Sequence, residues 1–220
     1  MARHAWTFSA TLAAVGLSGV ALSLLFVRAA DYLGYLQVLA IVSKHGEAYY
    51  PNQTVNGLLH RWFSNGDSTQ WYYHSYPPFH PHVYWGTLVT SLLLVALALV
   101  ARRRPKGIGR DADFALAGLV ATMASPIAWE HHYGVLAPIF AFLLPALLKY
   151  PVAGRATLPL LAASYVLASN FIDAAQRLTE VPVWNVLQSY LFFAALTVLA
   201  LLWRLRCADP PTPAAISAPA

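Results

Sequence analysis

Three proton-active side chains stand side by side in "SPIAWEHHYGVLAP" (residues 125–138), where Glu130, His131 and His132 follow Trp129 between two apolar runs. Ionisable groups at the end of a membrane helix are costly unless they line a polar cavity or pair with one another. A Glu–His pair in that position can present a cation to an anionic lipid phosphate. Consecutive helical residues point about 100° apart, so only one or two of the three can face one cavity. Snorkelling of polar side chains at a helix end is the plainer alternative.

A second polar stretch, "NQTVNGLLHR" (residues 52–61), carries carboxamides, an imidazole and a guanidinium. Val55, Leu58, Leu59 and Trp62 share one helical face, and Gln53, Asn56 and His60 recur at i, i+3, i+7 on another. The spacing predicts a short amphipathic helix that turns its amides and imidazole toward a polar space. There Asn52, Gln53, Asn56 and Arg61 could hold sugar hydroxyls or phosphate, the alternative being an ordinary surface helix. Asn52-Gln53-Thr54 also fits a glycosylation sequon, a pattern common by chance.

His74, His80 and His82 lie in one stretch, "HSYPPFHPH", without the fixed spacing of a metal site, so no metal and no cofactor are expected. Asp31, Glu47, Asp67, Asp173 and Glu180 are the other carboxylates of the same predicted face, and nothing local singles out a catalytic base among them. Cys207, the single cysteine, excludes an internal disulfide framework.

The elements that must position these groups are membrane helices. The 220 residues are 58% hydrophobic and only 10% charged, against about a quarter charged in soluble domains. The class is an all-α integral membrane protein. The net charge of +5 fits membrane topology rather than nucleic acid, because the basic residues cluster at the ends of apolar runs. Six apolar stretches approach the roughly 17–25 residues that cross a bilayer: 6–27, 83–101, 114–127, 133–148, 158–172 and 186–203. They predict a polytopic bundle of about six transmembrane helices over residues 1–206, with an external loop at 28–82 and a disordered cytoplasmic tail at 207–220. The first stretch has too long an apolar region for a cleaved signal peptide.

With the N-terminus inside, the cytoplasmic segments hold ten basic residues, five of them in "RRRPKGIGR", and the external segments hold four. That balance places both termini in the cytoplasm. Seven of the eight histidines then fall on the external face. In the external loop, Leu33, Leu36, Leu39 and Val42 recur at helical spacing, which predicts a helix lying in the interface.

Taken together, the two polar stretches resemble elements of glycosyltransferase family 87: "NQTVNGLLHR" its NQS-(V/L)-NG-L-L-x-R element, and "SPIAWEHHYGVLAP" its SPISWxHHxVWLLP element. The resemblance implies a C-type glycosyltransferase fold with its site at the external face of the plasma membrane. It implies a polyprenyl-phosphate sugar as donor and a glycolipid or cell-envelope polysaccharide as acceptor, with hexosyl or pentosyl transfer between them and membrane lipid around both. On this comparison His131 and His132 contact the donor phosphate, Glu130 orients them, and Asn52, Gln53, Asn56 and Arg61 hold sugar or phosphate. Members of the family are usually longer and carry an acidic base upstream of the NQ element. The chain is therefore expected to correspond to the C-terminal half of such an enzyme, with a separate upstream half as a partner. The competing expectation is a non-catalytic membrane remnant or subunit that binds lipid or partner proteins; a histidine-relay transporter is a weaker third.

Overall fold

The computed structural model describes residues 2–71, 76–100, 107–150, 152–169 and 182–207. The expected tail at 207–220 lies outside the described residues apart from Cys207, as do His74, Asp173, Glu180 and the basic run 102–106. Among the described residues eight α-helices follow one another: α1 (Ala2–Ser23), α2 (Ala29–His45), α3 (Val55–Trp62), α4 (Pro81–Leu99), α5 (Ile108–Met123), α6 (Leu136–Lys149), α7 (Thr157–Ala168) and α8 (Tyr190–Arg206). Short 3-10 helices occupy Glu130–Val135, Gly154–Ala156 and Pro182–Ser189. Among the described residues there are no strands beyond one isolated bridge pair, so the architecture is all-helical.

The chain divides into two units, Met1–Ser43 and Lys44–Ala220. In the first, α1 and α2 are joined by a tight turn, the Ser23 and Tyr32 hydroxyls share a hydrogen bond, and Arg28 pairs with Asp31 at 2.9 Å. Leu33, Leu36 and Leu39 do fall on a helix, and all three are exposed.

In the second unit the core is made by α5, α6, α7 and α8. Leu116, Leu119 and Met123 of α5 meet Leu143 and Leu147 of α6 and Ala195, Val198, Leu202 and Leu205 of α8. Fully buried Ala112, Ala194 and Ala195 let these backbones approach closely, as membrane helices require in the absence of a hydrophobic drive between them. Pro145 sits inside α6, where it removes one backbone hydrogen bond. At one end of the core the Arg206 guanidinium, 6% exposed, meets Asp113 at 2.8 Å and stacks over Trp203. Asp113 therefore answers α8, and Asp111 lies 3.8 Å from Arg110.

Among the described residues three helical stretches are long and apolar enough to cross a membrane: Pro81–Leu99, Glu130–Lys149 and Trp184–Arg206. They coincide with the second, fourth and sixth expected spans. The third expected span is displaced: α5 starts after Gly107 and ends at Met123. The stop has a local cause, because the ring of Pro126 bars the residue before it from helical geometry. Within the fifth, α7 covers 157–168, and residues 170–181 lie outside the described set.

Helix α3 packs on α4 and on the Pro182–Ser189 turn. Its approach to the preceding loop is set by Gly57: a Cβ there would stand 2.1 Å from the Asn52 carbonyl oxygen. Gly46 adopts φ +68° beside Asn56, a conformation that favours glycine. Gly57→Ala is expected to lower stability by about 1–3 kcal/mol, the usual range for overpacking. Gly34→Ala, with nothing within 4 Å of the new methyl, should leave thermal unfolding in detergent unchanged or slightly raised. Equal melting of Gly57→Ala and the parent chain would refute the close approach.

Candidate functional site

The two polar stretches meet. Asn52 and Trp129 form an antiparallel bridge, and the Gln53 amide donates to the Ala128 carbonyl at 2.9 Å. The Ala128 amide returns a bond to Asn52 Oδ1 at 3.2 Å, and Asn52 Nδ2 donates to the carbonyls of Glu47 (2.9 Å) and Pro126 (3.3 Å). Thr54 caps α3, its hydroxyl accepting from the Gly57 amide at 3.3 Å. Gln53 Nε2 donates to Tyr50 and Gln188 carbonyls, both at 2.7 Å, and its Oε1 accepts from the Phe192 amide at 3.2 Å. The Tyr133 hydroxyl closes the frame by donating to the Gln53 carbonyl.

Arg61 is 1% exposed. Its Nε and one terminal nitrogen donate to Ser189 Oγ at 3.2 and 2.8 Å, that nitrogen also to the Asn52 carbonyl at 2.9 Å, and the other to the Tyr49 and Tyr50 carbonyls at 3.4 Å. All five N–H groups are engaged, each with a neutral acceptor. Burial without a carboxylate partner pushes the guanidinium down to about 9.

These positions correct the expected orientation of α3. Asn56, Gly57, His60 and Arg61 are buried, whereas Trp62 is 65% exposed. The polar face turns inward onto protein acceptors, and the apolar ring turns out. Asn56 accepts from the Glu47 amide at 3.0 Å and donates to Thr87 on α4 at 3.2 Å. Asn52 has no exposed surface, which leaves no room for a glycan on the sequon.

Beside the frame lies a cavity of about 630 Å³, lined by Tyr49, Trp129, Glu130, His131, Tyr133 and Tyr165 among others. Glu130 accepts from the Tyr190 hydroxyl at 3.3 Å. The His131 and His132 rings lie 4.2 Å apart, but they are used differently. His131 lines the cavity, while His132 Nδ1 accepts from the Trp129 amide at 3.0 Å and caps the 3-10 turn. Trp129 packs edge-on against Tyr49 and Trp71, and its buried indole N–H has no partner among the described residues.

Of the residues anticipated from sequence, Glu130 and His131 thus border the cavity, and Asn52, Gln53, Asn56 and Arg61 border it with none of their side chains. Tyr49, Tyr133, Tyr165 and Tyr190 were not anticipated. The first stands in "EAYYPNQ" and the second directly after the two histidines, so adjacency to each motif was the available signal; Tyr165 and Tyr190 had none.

The family model for glycosyltransferase family 87 matches residues 1–126. The chain belongs to that family. The match takes in the NQ element and ends just before Ile127, so Trp129–His132 enter the family argument only through the bridge to Asn52. No curated protein and no solved structure matches the chain.

One residue of the family element makes the frame sensitive to acid. His60 Nε2 faces the His45 carbonyl and its Nδ1 the Asn65 carbonyl, both at 2.9 Å, with the Asn65 side-chain nitrogen 3.1 Å from Nδ1. A neutral ring donates to one of these two carbonyls. Burial, with the Arg61 and His80 charges adding to it, lowers His60 from 6.5 to about 4. The unfolded chain takes up a proton below pH 6.5 that the folded chain refuses until about pH 4. Stability should therefore be full above pH 6.5 and fall by about 3 kcal/mol as pH drops toward 4. His60→Gln should flatten that slope in thermal unfolding; an unchanged slope would mean His60 does not set it.

Proposed function

We propose that the chain acts as a membrane glycosyltransferase that moves a hexosyl or pentosyl unit from a polyprenyl-phosphate sugar to a glycolipid or cell-envelope glycan. In this reading six helices span the plasma membrane, both termini are cytoplasmic, and the two polar stretches stand at the external rim. The observation that carries the reading is the Asn52–Trp129 bridge, which brings the family's NQ element against a cavity bearing Glu130 and His131.

When the anomeric C–O bond breaks, the lipid phosphate leaves with the electron pair and its charge grows. Hydrogen-bond donors fixed beforehand at that position lower the barrier more than they tighten the ground state. His131 supplies an imidazole nitrogen there, and the Trp129 ring forms part of the same wall. Tyr49 and Tyr165 provide aromatic walls for a sugar ring, and Glu130, held by Tyr190, fixes the polar side of the cavity. Asn52, Gln53, Asn56 and Arg61 serve this site by building its wall.

The test uses the full chain in nanodiscs, with labelled polyprenyl-phosphate mannose or arabinofuranose and a glycolipid acceptor. His131→Ala should cut transfer by about 10²–10³-fold, the loss that follows removal of one such donor. Gln53→Leu should cost folding rather than chemistry, because it strands the Gln188 carbonyl and the Phe192 amide in the interior. Transfer at the parent rate by His131→Ala, or none by the parent chain with any donor, would overturn the reading.

A further inference from the structure

Transfer to a hydroxyl acceptor releases a proton, and the cavity must hold a base to take it. Asp31 pairs with Arg28 in the first unit, and Asp113 answers Arg206. Glu47 and Asp67 border a separate space of about 180 Å³, and Asp111 borders an apolar one between α5 and α6. Asp173, Glu180 and Asp209 lie outside the described residues. Among the described residues, Glu130 is the carboxylate that borders the cavity of about 630 Å³.

Its placement suits the task. Glu130 is half-buried, so its carboxylate reaches the cavity without being sealed in the core. The Tyr190 hydroxyl, anchored on α8, donates to Oε1 at 3.3 Å and fixes the direction of the group. A carboxylate offers about four lone-pair sites, and one such bond does not exhaust them.

Glu130 and His131 are consecutive in a 3-10 turn, whose three residues per turn set neighbouring side chains about 120° apart. The carboxylate turns toward α8, and the His131 ring packs edge-on against Trp129, their centres 6.0 Å apart. The acid and the imidazole therefore address the cavity from two sides. A displacement at the anomeric carbon asks for that separation, because the entering oxygen and the departing phosphate lie on opposite faces of the sugar.

We infer that Glu130 is the general base of the transfer, facing the acceptor hydroxyl across the sugar from His131. The assignment rests on the glycosyltransferase reading. The acceptor O–H bond breaks and its proton passes to the Glu130 carboxylate, while the oxygen bonds to the anomeric carbon. The bond from that carbon to the phosphate oxygen breaks, and its electron pair leaves with the lipid phosphate. Glu130 ends neutral, the lipid phosphate carries one more negative charge, and the total charge is unchanged. The anomeric carbon inverts.

Variants of the full chain in nanodiscs test the assignment, with labelled polyprenyl-phosphate mannose or arabinofuranose as donor and a glycolipid as acceptor. Glu130→Gln keeps an oxygen for Tyr190, so it should melt with the parent chain and bind donor as tightly. Its transfer should be about 10²–10⁴-fold slower, the usual contribution of a general base. Glu130→Ala opens the space that a small carboxylate needs, and added sodium formate should restore part of its transfer while leaving His131→Ala unchanged. Transfer by Glu130→Gln at the parent rate would overturn the assignment. So would a donor affinity that falls in step with transfer, the signature of a group that only orients His131. Formate that restores neither Glu130→Ala nor His131→Ala, or both alike, would also count against the base. Should either Glu130 variant melt below the parent chain, Glu130→Asp decides, since it keeps the charge but withdraws it by one methylene. Slower transfer at full donor affinity is then expected, and an unchanged rate would refute the role. With an active parent chain these outcomes concern Glu130 alone; a parent chain that transfers no sugar from any donor removes the glycosyltransferase reading and the base with it.

Discussion

Two extended segments in an otherwise helical molecule hold each other through Gln53 and Asn52, and the polar architecture hangs from those two carboxamides. A carboxamide brings both donors and acceptors, so one side chain can satisfy backbone groups on several elements that have no helical partner of their own. Gln53 does this for the turn at Tyr50, the 3-10 helix at Gln188 and the first turn of α8 at Phe192. Asn52 does it for Glu47, Pro126 and Ala128. Asn52 and Gln53 are fully buried, and a backbone group left unpaired in such an interior is expensive. The irregular stretches that carry Tyr49, Trp129 and His131 exist because these amides complete them.

Arg61 extends the same logic to a charge. A buried cation without a carboxylate is ordinarily disfavoured, since desolvation exceeds what neutral dipoles return. Here three carbonyls and a serine hydroxyl converge on one guanidinium and clamp the 49–52 turn against Ser189. The arginine of the family element thus works as a bracket. Its planar, five-donor head suits that task, and lysine, with three donors on one nitrogen, would leave carbonyls unanswered.

How much of this was legible in the sequence depends on the residue. The apolar runs gave the helices, and Pro81 marks the start of α4 within two residues of the expected span. The meeting of the two polar stretches was also legible, through the one face on which the charge pattern predicts both and through the family elements they resemble. The inward turn of α3 was not. Periodicity shows that Asn56 and His60 share a face, but it is silent on whether that face meets water or backbone carbonyls. In a lipid-embedded chain the usual inference reverses, because Trp62 finds a good environment outside and the amides find theirs inside. The unequal use of His131 and His132 was equally hidden, since a 3-10 turn and not an α-helix carries them and one of them serves as its cap.

The bonds that complete the frame also impose an order of events. Gln53 reaches partners 80, 135 and 139 residues further along the chain, on Tyr133, Gln188 and Phe192. A nascent polypeptide emerging from the ribosome has none of them when the NQ stretch first leaves the tunnel. Until α8 and the turn before it are delivered, that carboxamide has the Tyr50 carbonyl for one N–H, and its remaining donor and its oxygen must be met by water or by an insertion factor. Biogenesis must therefore keep this one stretch solvated while the greasy helices around it are already settling into lipid.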